Sequence, residues 1–317
     1  MSGRILALSG GVGGAKLALG LARVVPPRDL LVVCNTGDDF EHLGLHVCPD
    51  LDTVTYTLAG LANPETGWGL AGDSWQFLGA LRRLGERARA ETWFRLGDRD
   101  LATHVERSRR LRAGETLSEV TAALCTALGV EAAVSPMSDQ PVRTIVETPS
   151  GDLPFQVYFV RERCAPVVRG LRFEGAHAAR PAPAFAAALG DPELGAVVVC
   201  PSNPYLSIDP ILAVPGVVEA LAASPAPVIA VSPIVGGRAI KGPTAKIMAE
   251  LERPATAVEV ARWYQQRGIL DRFVLDEQDR HLAPEVEALG VEVAIEQTVM
   301  DTDADKVALA QALLRGL

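Results

Sequence analysis

Leu30-Leu31-Val32-Val33-Cys34-Asn35-Thr36-Gly37-Asp38-Asp39, with Pro49-Asp50-Leu51-Asp52-Thr53 a short way downstream, is the stretch that decides the fold. Its apolar half reads as a strand buried on both faces, as strands are in a parallel sheet covered by helices. The strand then breaks at turn residues, and the end of such a strand is where open α/β sheets hold their ligands. Four carboxylates gathered there (Asp38, Asp39, Asp50 and Asp52) repel one another unless a cation lies between them. Mg²⁺ is the simplest candidate, since it is usually held by one or two carboxylates together with substrate phosphates. The competing reading is local: Asp38 and Asp39 cap a following helix, while Asp50 and Asp52 turn the chain.

Other strands flank this one. Arg4 to Ser9 is a strand that runs into Gly10-Gly11-Val12-Gly13-Gly14-Ala15-Lys16, after which a helix begins at Leu17 and ends before Pro26-Pro27. Strand, glycine loop and helix together aim N–H groups and a helix dipole at a phosphate. The loop is of neither standard type. A Walker loop needs Ser or Thr where Leu17 stands, and the dinucleotide fingerprint counted from Gly11 needs glycine where Lys16 stands. A tight structural turn is the alternative. Ala196 to Cys200 is a buried strand that empties into a polar, proline-fixed loop, Pro201 to Pro210; Val228 to Val231 enters Ser232 to Pro243, with Arg238 and Lys241 suited to an anionic group. Four strand ends on one edge argue for a site more strongly than any one of them, the alternative being ordinary βα turns.

The fold expected is α/β and Rossmann-like, with a mostly parallel sheet and helices on both faces. Residues 1–54 and 135–317 form its core, and residues 55–134 form a small, mostly helical insertion. In the insertion Asp98 suits an N-cap, His104 a packed helix position, and Arg107, Arg109, Arg110 and Arg112 a solvated helix face. Val142 to Thr148 and Phe155 to Val160 read as a hairpin around Pro149-Ser150-Gly151-Asp152.

Composition sets outer limits. The 317 residues are 48% hydrophobic, enough for a full core, and no apolar run approaches the roughly 20 residues that span a bilayer. Five scattered cysteines without a C-x-x-C pair suit a reducing cytoplasm and neither a disulfide framework nor a structural zinc. A net charge of −9 disfavours a nucleic-acid groove but not a small nucleotide. No signal peptide is expected, nor a membrane partner.

Taken together, six segments carry a resemblance. Gly10 to Lys16, Asn35 to Asp39, Cys48 to Thr53, Leu96-Gly97-Asp98-Arg99-Asp100-Leu101-Ala102-Thr103-His104, Pro201-Ser202-Asn203-Pro204 and Ser232-Pro233-Ile234-Val235-Gly236-Gly237 stand in the order of the 2-phospho-L-lactate transferase family, which the chain resembles. That family acts in making coenzyme F-420. The resemblance implies a guanosine-diphosphate-linked three-carbon acid as donor, the deazaflavin Fo as acceptor, GMP release, Mg²⁺ and a homodimer. It places the metal carboxylates on Asp38 and Asp50. In the mechanism this suggests, Asp39 or Asp52 either orients the acceptor hydroxyl or supports the residues that hold the metal. Phosphate and nucleotide contacts fall on Gly10, Gly11, Gly13, Gly14, Lys16, Asn35, Ser202, Asn203, Ser232, Gly236, Gly237 and Lys241. The acid transferred stays open between 2-phospholactyl, phosphoenolpyruvyl and 3-phosphoglyceryl groups. Two rival readings are a nucleotide or nucleotide-sugar binding regulator of the same fold and a dinucleotide oxidoreductase.

Overall fold

Along Arg4–Ser9 (β1) every residue after Arg4 is buried. Leu6 and Leu8 face one core with Val33, Val197 and Val199, while Ile5 and Ala7 face a second with Val32, Val198 and Val231. A strand apolar on both sides must be covered on both sides, and each side chain so buried contributes about 1.5–3 kcal/mol. The structure, a computed structural model, describes residues 3–239 and 242–317. The further strands of the main sheet are Leu30–Cys34 (β2), Ala133–Pro136 (β3), Leu194–Val199 (β4), Val228–Val231 (β5), Arg272–Asp276 (β6) and Glu292–Glu296 (β7). All pair in parallel, in the order β7-β6-β5-β4-β1-β2-β3. The order reverses between β1 and β4, and the crevice outside the carboxyl ends of those two strands is where doubly wound sheets bind ligands.

Helices Gly11–Val24 (α1) and Pro49–Leu58 (α2) cover one face with Asp303–Leu313, bringing Leu17, Leu21, Leu51, Val54 and Leu309 onto the strands. Between α2 and β3 lie the helical residues, chiefly Asp98–Arg112 (α3) and Leu117–Ala127 (α4). The expected domain boundaries at 54/55 and 134/135 fall inside α2 and β3, and α4 buries Leu117 and Cys125 in the main core.

Three local expectations are corrected. Gly10 to Lys16 is not a loop ahead of a helix: α1 starts at Gly11, with Gly10 extended at its N-cap. The hairpin around Pro149 to Asp152 exists, but its second strand is only Leu153–Pro154; Val157–Arg161 is a π-helical turn. There Phe155 and Phe159 stack at 5.3 Å, an i,i+4 contact that a strand cannot make, and Tyr158 is fully buried. The segment Pro201 to Pro210 is likewise ordered, as a π-helical turn Pro204–Ile208 followed by the helix Asp209–Leu212. Asn203 caps that turn, its Oδ1 accepting from the N–H groups of Tyr205 and Leu206 at 3.0 and 3.1 Å.

The expected N-cap role of Asp98 is also exchanged. Asp98 accepts from the N–H groups of Gln76 and Phe77 at the start of the helix Gln76–Leu81, while Asp73 accepts from those of Arg99 and Asp100 at the start of α3. Each aspartate caps the other's helix, which ties the insertion together. Among the described residues no single helix is long and apolar enough to cross a membrane; the bent pair Pro204–Leu212 and Val217–Ala223 passes on composition, and its apolar residues belong to the core.

Candidate active site

The turn after β2 and the first turn of α2 meet at one side chain. Asn35 is fully buried, and its Nδ2 donates to Asp50 Oδ2 at 3.0 Å, to the carbonyl of Leu206 at 3.3 Å and to Asp38 Oδ1 at 3.4 Å. Its Oδ1 accepts the N–H of Gly37 at 2.7 Å, which closes the turn that carries Asp38. Gly37 is required there, because a Cβ would lie 2.8 Å from Pro210 and 2.9 Å from Thr144. No helix follows Asp39; a hairpin, Phe40–His42 with Leu45–Val47, does, so Asp38 and Asp39 are not helix caps. Asp50 is in the first turn of α2, where a carboxylate suits the helix dipole.

Asp50 also reaches α1. Its Oδ1 accepts the N–H of Gly11 at 2.6 Å, and the N–H of Gly10 donates to Ser202 Oγ at 3.1 Å. Gly11 has φ of 65°, a left-handed conformation that suits glycine. Gly13 and Gly14 admit close packing instead: a Cβ on Gly13 would overlap the carbonyl of Pro201, and one on Gly14 would come within 2.5 Å of Ser202 Oγ and Ser9 Oγ. The glycines therefore seat α1 on the segment after β4. Of the first-turn donors that usually lack partners, the N–H groups of Val12 and Gly13 lie beyond those two bonds.

Burial pushes the Asp38 carboxyl well above the usual range, and the charges of Asp50 and Asp39 add to it. Burial likewise raises Asp50 to about 6, although hydrogen bonds from Asn35, Gly11 and Ser207 oppose the shift. Two buried carboxylates on one amide, each disfavoured in its charged form, fit a divalent cation between them. Gln156 donates to the Asp38 carbonyl at 3.2 Å and to its Oδ2 at 3.5 Å, fixing the turn from the far side.

Asp39 and Asp52 have separate surroundings. Asp39 Oδ2 accepts from the Cys48 thiol at 3.1 Å and faces His46 Nε2 at 3.4 Å, while its buried Oδ1 has no partner. Asp52 is held by both terminal nitrogens of Arg107, which is 2% exposed, and His104 stands between Asp52 at 3.7 Å and Asp100 at 3.4 Å. The expectation of a solvated Arg107 is therefore wrong: it is the internal counter-charge to Asp52. Asp39, His46 and Cys48, and separately Asp52, Asp100 and His104, bring ligand-type atoms within 4.8 Å of one another. The second group already contains its cation in Arg107, and hydrogen bonds join the first.

The remaining expected contacts divide. Ser202 and Asn203 are at the site, though Asn203 serves as a cap. Lys16 donates to the carbonyl of Met300 at 2.5 Å. Ser232 bonds its own turn at Ile234, and Gly236 gives its N–H to Asp279 in the hairpin Ile234–Val235 with Arg238–Ala239. That fourth strand end is thus tied to the end of β6, and no described contact links it to Asp38 or Asp50. Lys241 lies outside the described residues.

Residues 5–313 match the family described as 2-phospho-L-lactate transferase CofD. The chain belongs to that family. It is 42% identical to a phosphoenolpyruvate transferase of Kitasatospora aureofaciens, across 98% of this chain and 97% of that one. It is 39% identical to a 2-phospho-L-lactate transferase of Methanothermobacter thermautotrophicus, again across 98% and 97%. A UPF0052 family protein from Bacillus halodurans shares the fold, with a TM-score of 0.66 over 99% of this chain and 100% of that one at 14% identity. The chain is accordingly a CofD-type transferase, of 2-phospho-L-lactate or phosphoenolpyruvate type, in coenzyme F-420 biosynthesis. In this CofD-family chain Gln156, Ser207 and His46 line the candidate site without being singled out in the sequence, while Arg107 is expected there as a solvated residue and Cys48 only as the start of the segment Cys48 to Thr53. Only the cysteine, standing beside Pro49-Asp50, carried a signal in the sequence.

Behind the site, Asp209 accepts from Trp263 Nε1 at 3.0 Å and pairs with Arg267 at 3.1 Å. Burial pushes it up to about 7 against the pull of Arg267. An unfolded aspartate releases its proton near pH 4, so folding takes up a proton between about pH 4 and 7, and this group's contribution to stability declines as pH rises through that window. Asp209→Asn has no such titration. Its urea midpoint is expected to gain on the wild type between pH 5 and pH 8, whereas parallel midpoints at both pH values would contradict the assignment.

Proposed function

We propose that this chain transfers a phosphorylated three-carbon acid from a guanosine-diphosphate-linked donor to the terminal ribityl hydroxyl of Fo, releasing GMP, as a homodimer. The meeting of Asp38 and Asp50 on the amide of Asn35, at the carboxyl ends of β1, β2 and β4, carries this reading. Mg²⁺ held by Asp38 and Asp50 would supply charge neutralisation at the donor diphosphate. The N–H groups of Val12 and Gly13 in the first turn of α1 would serve as donors to the donor phosphates.

Asp39 is the residue that orients the acceptor. Cys48 and His46 hold its Oδ2, leaving the unpartnered Oδ1 to accept a hydrogen bond from the attacking hydroxyl and then its proton. Asp52 is excluded from that task because Arg107 occupies both its oxygens. The hydroxyl oxygen attacks the phosphorus nearer the acid, and the bond to GMP breaks. Such a transfer depends on alignment and charge more than on covalent help.

Incubation with Fo and each of the three linked acids, followed by mass spectrometry, is the test. A new phosphodiester with equimolar GMP is expected in the presence of Mg²⁺ and none after chelation. Nucleotide binding without product would favour a regulator instead.

A further inference from the structure

A cleft of about 200 Å³ opens beside Asp39, and the scheme above leaves it unassigned. Thr36, Arg143 and Gln140 bring its donors, and Leu111 and Leu117 form an apolar wall. Two of its polar groups have hydrogen-bonding capacity to spare. Thr36 is 1% exposed, and its Oγ1 makes no hydrogen bond. Arg143 uses only Nη1, on the carbonyls of Val142 at 2.8 Å and Thr36 at 3.5 Å. Among the described residues its Nε and Nη2 make no hydrogen bond and its guanidinium joins no ion pair. The other acidic residue of the cleft, Asp139, accepts the N–H of Ser118 at 2.7 Å and so caps α4. Arg143 is nevertheless near enough to Asp38 for its charge to favour that carboxylate.

We infer that Arg143, with the hydroxyl of Thr36, receives the carboxylate of the donor's three-carbon acid while the attached phosphate lies at Asp38 and Asp50. The inference rests on the proposed function and names how that site recognises the acid. A guanidinium with a free edge matches a carboxylate bidentately, where a lysine would offer only a point charge. At about 30 Å³ for each water-sized group, the cleft has room for about seven, enough for the three carbons, the two carboxylate oxygens and the bridging oxygen. In an acid phosphorylated at its second carbon the carboxylate lies three bonds from phosphorus, and in one phosphorylated at its third carbon four. The third carbon of a lactyl or enolpyruvyl group meets Leu111 and Leu117 as a methyl or methylene. A free hydroxyl on that wall would lose its hydrogen bonds to water without replacement.

Calorimetry with Mg²⁺ separates the parts of the donor, because GDP carries the nucleotide and diphosphate but no acid. Wild-type protein is expected to bind GDP-linked 2-phospholactate about tenfold or more tightly than GDP. In Arg143→Gln that difference is expected to vanish while the GDP affinity holds within about twofold; Arg143→Lys is expected to recover part of it. An equal loss of GDP affinity would make Arg143 a phosphate ligand and overturn the inference, and so would a retained preference for the linked acid. Steady-state kinetics adds a second reading: the donor KM is expected to rise and the KM for Fo to stay, and a rise confined to Fo would give the cleft to the acceptor. Should wild-type protein bind both compounds and make no phosphodiester, the transfer reading fails while the carboxylate assignment is still judged by the binding data.

Discussion

Asp50→Asn is expected to remain folded and to transfer about 10³-fold more slowly, the loss of several kcal/mol of charge stabilisation at the donor phosphates. Asparagine keeps an acceptor for the N–H of Gly11, which Asp50 Oδ1 binds at 2.6 Å, and it removes one of two like charges that meet on Asn35. Alanine is the less informative variant. It leaves the Gly11 N–H buried without its acceptor and takes the nearest of three acceptors from the Asn35 amide, at a cost of about 1–3 kcal/mol, so lost activity would be mixed with lost stability. Product formation and a urea titration, measured on the same preparation, distinguish the two. A folded Asp50→Asn protein that retains most of its rate would remove Asp50 from the reaction.

Arg107→Ala is expected to have the largest effect on stability, about 3–5 kcal/mol, because Asp52 would keep a buried charge with no counter-charge. Asp52 is two residues from Asp50 in the first turn of α2, and α3 supplies the arginine, so the pair joins the insertion to the site. His104, Asp100 and the hydroxyl of Tyr56, which donates to Asp100 at 2.7 Å, complete the buried contact. Urea unfolding of Arg107→Ala, and of Arg107→Met combined with Asp52→Leu, checks the cause. The double replacement is expected to recover most of the loss, since an apolar pair of similar volume carries no unpaired charge. A single-variant cost under about 1 kcal/mol would mean that water reaches Asp52.

The parts of the fold that could be read in advance were those with one dominant local term. Runs such as Leu30 to Cys34 and Ala196 to Cys200 are apolar at every position, so only a strand covered on both faces accounts for them. Asn203-Pro204 announces a cap and a first helical turn, but the polar and proline content of the segment outweighs that signal and reads as a loop. Val157 to Arg161 misleads for the opposite reason. Its β-branched and aromatic residues favour a strand in isolation, but burial of Tyr158 and the stack of Phe155 on Phe159 favour a helical turn. The arginines of α3 show the same limit: a sequence gives their spacing, and it does not show that α2 brings Asp52 beneath Arg107.

Hydrophobic pattern and turn chemistry within short windows are enough to specify the class of sheet, the strand ends that hold polar residues and the carboxylates gathered after β2. How those carboxylates divide emerges only when the chain packs. Asp38 and Asp50 share one buried amide, Asp39 is held by a thiol and an imidazole, and Asp52 is neutralised by an arginine from the helical insertion. Charges interact through space according to distance and burial, and neither quantity is fixed until segments far apart in the chain have packed.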